Sequence, residues 1–118
     1  MEDSRFTKSI LLDFYGELLT PKQRECFDLH YNDDLSLSEI AEQLGVTRQG
    51  VWDNIRRAES AMESVEEKTG LIRRFREDRL ALEGIREKLA KLTGMTGGEA
   101  GEIAKQAAAD IEALLDKG

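Results

Sequence analysis

Ser36-Leu37-Ser38-Glu39-Ile40-Ala41-Glu42-Gln43-Leu44-Gly45-Val46-Thr47-Arg48-Gln49-Gly50-Val51-Trp52-Asp53-Asn54-Ile55-Arg56-Arg57-Ala58 reads as a complete helix-turn-helix. Ser36 and Glu39 stand at capping-box spacing, so a short helix starts at Leu37. Its inward face carries Leu37, Ile40, Ala41 and Leu44, and the small Ala41 lets a second helix cross closely. Gly45 supplies the left-handed residue that a sharp corner needs, and Val46 is expected to plug that corner against the core. Thr47 caps the next helix, which buries Val51, Ile55, Ala58 and Met62 at steps of three and four. Arg48, Gln49, Trp52, Asp53 and Arg56 then face outward, with Arg57 beside them, as a candidate reading surface.

Working outward, Phe6, Ile10, Phe14 and Leu18, flanked by Leu11, Tyr15 and Leu19, recur at helical spacing and predict a first helix from Asp3 to Leu19. Thr20, Pro21 and Gln23 place an N-cap, a first-turn proline and a capping-box partner together, so a second helix begins at Pro21 and buries Cys26, Phe27 and Tyr31. Asn32, Asp33 and Asp34 form the turn before the motif. The helix begun at Thr47 meets no breaker until Gly70. A further helix is expected over about Leu71 to Leu92, with Leu71, Phe75, Leu82, Ile85, Leu89 and Leu92 near a heptad and Asp78 interrupting it. Thr93 to Gly101, with four glycines, reads as a flexible connector before a last helix that turns Ile103, Ala107, Ile111, Leu114 and Leu115 inward. The expected architecture is all-α: a helix-turn-helix domain over residues 1–70 and a C-terminal helical hairpin over 71–118. The hairpin packs on the first domain or on a second copy of the chain. Because neither hairpin helix can bury its apolar stripe alone, a homodimer is expected.

The chain has 118 residues, of which 35% are charged and one is proline. That size and composition suit a small helical protein with no need of metal or disulfide. The single cysteine, Cys26, has no Cys or His cluster around it and reads as a buried hydrophobe in a reducing cytoplasm. No apolar segment is long enough for membrane insertion. The overall charge is −7, and residues 1–70 alone hold eight basic against fifteen acidic side chains. Attraction to phosphate must therefore be local to the reading helix. Residues 71–94 carry seven basic and four acidic groups, and Arg73, Arg74, Arg76 and Arg79 form a candidate secondary basic patch for RNA, DNA or an acidic protein. The alternative is a solvated face diluted by Glu77 and Asp78.

Binding rather than catalysis is expected. His30 beside Asp28 and Tyr31 reads as a surface histidine near a helix C-terminus. The carboxylates at Glu63, Glu66 and Glu67 sit among other charges, without the apolar setting that acid–base chemistry needs. The glycines near Gly97 lack the lysine and the preceding strand of a phosphate loop. No cofactor and no metal ligand set is expected.

Leu18-Leu19-Thr20-Pro21-Lys22-Gln23-Arg24, Tyr31 through Ala41, and Thr47 through Arg57 closely resemble the bacterial YlxM family, through about residue 92. The same core is similar to the C-terminal helix-turn-helix module of sigma factors. This chain departs from that module at Asn54, shifting the apolar position to Ile55 as YlxM proteins do. The resemblance implies a regulatory protein of the signal recognition particle pathway with a DNA-binding helix-turn-helix. Its partners would be double-stranded DNA, or the particle's protein or RNA. A sequence-specific transcription regulator unrelated to protein targeting is the alternative, and an anti-sigma or transcription scaffold is a third class.

Overall fold

The computed structural model describes residues 4–117. Among them are six α-helices and no strand: α1 (Ser4–Tyr15), α2 (Pro21–Tyr31), α3 (Leu37–Leu44), α4 (Arg48–Thr69), α5 (Leu71–Met95) and α6 (Gly98–Lys117). The chain forms two compact units, Met1–Ile72 and Arg73–Gly118.

In the first unit, α1, α2, α3 and α4 close around Cys26, Phe27, Ile40, Val51, Ile55, Ala58 and Met62, all fully buried. Both expected capping boxes are present. Thr20 Oγ1 accepts the Gln23 N–H at 3.2 Å while Gln23 Oε1 accepts that of Thr20. Ser36 Oγ and Glu39 Oε1 exchange the same pair of bonds at 3.0 and 2.8 Å. Each satisfies amides that a helix start leaves without partners.

The first helix is shorter than its apolar pattern suggests. Asp3, where the sequence starts it, lies outside the described residues. At the other end α1 stops at Tyr15, and Gly16–Leu18 form a 3-10 turn closed by Leu19 N–H to the Gly16 carbonyl at 3.1 Å. Thr20 must be extended to cap α2 and to precede Pro21, so the chain has to leave the helix by then. The tighter turn rotates each residue further, which swings Leu18 to 63% exposure and keeps Leu19 in the core. Phe6 is likewise 54% exposed, and Leu12, absent from the expected stripe, is buried.

Between α2 and α3, Asp34 takes a positive φ of 61°, which short polar residues tolerate, and its carboxylate pairs with Arg5. His30 is half-buried rather than a plain surface residue, and its Nδ1 lies 2.8 Å from the Leu35 carbonyl oxygen. Since a carbonyl only accepts, Nδ1 carries the proton, and the ring ties the end of α2 to the loop. Lys8 of α1 reaches Glu59 and Glu63 of α4 at 2.8 and 3.4 Å. Burial opposes the ammonium charge, but those two carboxylates outweigh it and raise the lysine pKa.

The second unit is an antiparallel pair, since Arg79 and Arg86 of α5 meet Leu115 and Glu112 of α6 in reverse order. The expected flexible connector is absent. Both helices run on until only Thr96 and Gly97 separate them. The glycines here meet local needs: Gly98 has a φ of 63°, and a Cβ on Gly101 would lie 3.0 Å from the Thr96 carbonyl oxygen. The buried stripe also differs from the expected one. Phe75, Leu82 and Leu89 are half-buried, but so are Arg79, Arg86 and Thr93, so the stripe runs one residue along from Asp78, Ile85 and Leu92. Ile85, Leu92, Ile103 and Leu114, expected inward, are exposed, whereas Ala104 and Leu115 are buried. The side of α6 that carries Gly101, Ala104 and Leu115 is the one covered. Leu71 is 44% exposed while its neighbour Ile72 enters the core of the first unit.

Candidate nucleic-acid interface

The corner of the helix-turn-helix is built from backbone bonds. Gly45 has φ 69° and ends α3, and the Gly45 and Val46 amides both donate to the Ala41 carbonyl. Val46 does not plug the corner: it stays 38% exposed, and its part is played by its N–H. Thr47 Oγ1 then accepts the Gly50 N–H at 2.9 Å and starts α4. Val51, Ile55, Ala58 and Met62 lock one side of α4 into the core, which forces the opposite side outward.

Arg48, Gln49, Trp52, Asp53, Arg56 and Arg57 are all exposed on that opposite side. Trp52 stands at its centre, 38% exposed, with the Arg56 guanidinium 5.5 Å from the centre of its ring. The indole borders two surface clefts. Leu37, Arg48 and Gln49 line one with it; Asp53, Arg56, Arg57 and Ser60 line the other. Gln49 Nε2 donates to Asp53 Oδ1 at 3.0 Å. Asn54, where sigma-like modules bury an apolar residue, is half-buried and returns its Nδ2 to the Gly50 carbonyl at 3.0 Å. Within residues 48–57 three arginines face one aspartate, so this face is locally positive on an acidic unit.

The residues of the expected basic patch lie along α5. Arg79 donates to the Leu115 carbonyl at 2.7 Å and covers the Phe75 ring at 5.7 Å. It closes the end of α6 as a helix-terminal cation does. Arg74 is exposed, while Arg73 and Arg76 are engaged in other interactions. Among the described residues no cluster of His, Cys, Asp and Glu is able to hold a metal ion, and no helix is long and apolar enough to cross a membrane.

A family model described as "Putative helix-turn-helix protein, YlxM / p13 like" (UPF0122) matches residues 2–96. The chain belongs to this helix-turn-helix family. Similar relatives include UPF0122 proteins of Thermoanaerobacter sp. strain X514, 52% identical over 77 residues that span 65% of this chain and 66% of the relative. That of Geobacillus kaustophilus is 46% identical over 94 residues, 80% of this chain and 86% of the relative. That of Acetivibrio thermocellus is 40% identical over 116 residues, 97% of this chain and 98% of the relative. The family match takes in the whole motif and α5 and ends before α6.

Two residues of the exposed face escaped the sequence reading. Ser60 follows Arg56 by one helical step of four, so extending the outward series by that step would have found it. Leu37 was placed in the core from its spacing alone. It is half-buried, and its outer edge reaches the cleft because the first turn of α3 lies beside the start of α4.

Proposed function

We propose that this chain is a small regulatory binding protein that docks double-stranded DNA on the exposed face of α4. The observation that carries the reading is the gathering of Arg48, Gln49, Trp52, Arg56 and Arg57 on the one side of the second motif helix that the core leaves free. Arg48 and Gln49 at the helix start have the hydrogen-bonding pattern for guanine and adenine edges, Trp52 offers an apolar surface for a thymine methyl, and Arg56 and Arg57 suit phosphates. Binding, not turnover, is its activity, and it acts in the cytoplasm as a homodimer. Leu80, Ile85, Leu92 and Leu114, all exposed on the second unit, supply apolar surface for the pairing.

Fluorescence anisotropy of a labelled duplex over a salt series tests this. Replacing Arg56 and Arg57 together by alanine lowers the slope of log affinity against log salt by roughly two, about one per lost phosphate contact. An unchanged slope overturns the reading.

The acid excess of residues 1–70, fifteen against eight, favours a second reading that the family resemblance carries: the same face docks on the protein or RNA of the signal recognition particle. Recovery of particle protein from bacterial lysate after nuclease treatment, lost on replacing Trp52, supports that reading. Its disappearance with nuclease returns the face to nucleic acid.

A further inference from the structure

Asp53 is out of place on a face meant for a polyanion. It sits between Trp52 and Arg57 in a cleft otherwise lined by two arginines, Trp52 and Ser60. Among the described residues it forms no ion pair with either arginine, and its carboxylate accepts from the Gln49 carboxamide at 3.0 Å. A carboxylate only accepts, so the bond fixes the carboxamide with Nε2 toward Asp53 and Oε1 turned away from it. Free glutamine has broad terminal torsions and presents donor and acceptor in either order. With one amide hydrogen held by Asp53, Gln49 has one N–H and one carbonyl oxygen left, in a set order, which is the pair needed to read an adenine edge.

Resting on the DNA reading above, we infer that Asp53 is a positioning residue for sequence recognition: it orients Gln49, and its charge at the same time weakens attachment to duplexes of any sequence. The protein thereby depends more on base contacts and less on phosphates than its arginines alone would make it.

Selection from a pool of random duplexes, with anisotropy on the enriched and scrambled sequences, tests this in the full-length chain. Gln49→Ala identifies the base position that Gln49 reads. Asp53→Ala loses preference at that same position, about tenfold or more for a bidentate contact, and binds scrambled duplex about fivefold more tightly once one unit of repulsion is gone. Asp53→Asn offers Gln49 a donor as well as an acceptor, so it restores the preference only in part while retaining the tighter scrambled binding. Full preference in Asp53→Ala, with a motif enriched by the parent, overturns the positioning role alone. Enrichment of no motif by the parent overturns base reading, and this inference falls with it.

Discussion

The Tyr15 hydroxyl donates a 2.6 Å hydrogen bond to Glu66 Oε1, the oxygen that also accepts the Ile72 N–H at 2.9 Å. Tyr15 lies in the last turn of α1, Glu66 near the end of α4, and Ile72 in the first turn of α5. One carboxylate therefore ties the end of the core to the start of the next helix. Thr69 Oγ1 joins the same knot, 3.0 Å from the Tyr15 hydroxyl and 3.3 Å from the Leu71 nitrogen. Hydrogen bonds to a charged group are stronger than neutral ones, and an amide left without its acceptor costs more than a bond lost from both sides. Tyr15→Phe should cost about 1–2 kcal/mol and Glu66→Ala about 2–3 kcal/mol. Glu66→Gln, which keeps an acceptor for Ile72, falls below Glu66→Ala. Urea midpoints at constant slope measure all three, and equal costs for Glu66→Ala and Glu66→Gln would refute the capping role.

The two sides of α4 separate stability from binding. Ile55 is fully buried, and Ile55→Ala removes core volume, so a loss of about 2–5 kcal/mol is expected. Trp52 is 38% exposed and its ring meets the Arg56 guanidinium. Trp52→Ala should therefore cost under about 1 kcal/mol of stability while weakening binding by at least tenfold if the indole anchors a contact. Thermal melting beside anisotropy resolves the pair. A Trp52→Ala chain that melts as badly as Ile55→Ala would place the indole among the structural residues.

Much of this was readable from local chemistry. Caps at Thr20, Ser36 and Thr47 depend on residues three apart, and the αL corner depends on Gly45 alone, so both are written in adjacent positions. The outward face of α4 followed because Val51, Ile55, Ala58 and Met62 leave only one side free. The errors share a different origin. Apolar spacing at Leu18 assumed an α-helical rotation that Thr20 and Pro21 interrupt. Ile85, Leu92, Ile103 and Leu114 have as good a period as the buried stripe, so spacing alone does not choose between them. No periodicity rule would place Arg79 in that stripe, because its burial is repaid by a carbonyl 36 residues away. The Gln49–Asp53 bond was within reach of the sequence, since i to i+4 amide–carboxylate pairs are expected on helices.

The corner glycine carries its own prediction. A Cβ on Gly45 would meet nothing within 4 Å, so Gly45→Ala introduces no clash and isolates the cost of a left-handed backbone at φ 69°, about 1–2 kcal/mol. Gly45→Asn, which tolerates that region, should recover about half of it or more. A thermal unfolding series distinguishes these outcomes, and an Ala variant as stable as the parent would mean that α3 ends without the left-handed turn.

Acid should loosen α3 at its start. Glu39 returns its carboxylate to the Ser36 N–H at 2.8 Å, and bonding to the Ser36 backbone, then to its side chain, holds the glutamate pKa below its ordinary value. A carboxyl with a lower pKa folded than unfolded stabilises fully above the unfolded value, about 4.3, and loses that contribution as pH falls through the folded one. The parent's melting temperature should therefore drop with acidity in this window more steeply than that of Glu39→Gln, whose amide cannot titrate. The two curves converge at low pH, where the protonated glutamate and the amide are both neutral. Ser36→Ala removes the hydroxyl that accepts the Glu39 N–H, at a cost of about 1 kcal/mol, but keeps the Ser36 N–H that holds the carboxylate, so it should lessen the same pH dependence only in part. Parallel curves for the parent and Glu39→Gln across this range would show that the Ser36–Glu39 cap does not hold a charged carboxylate in the folded chain.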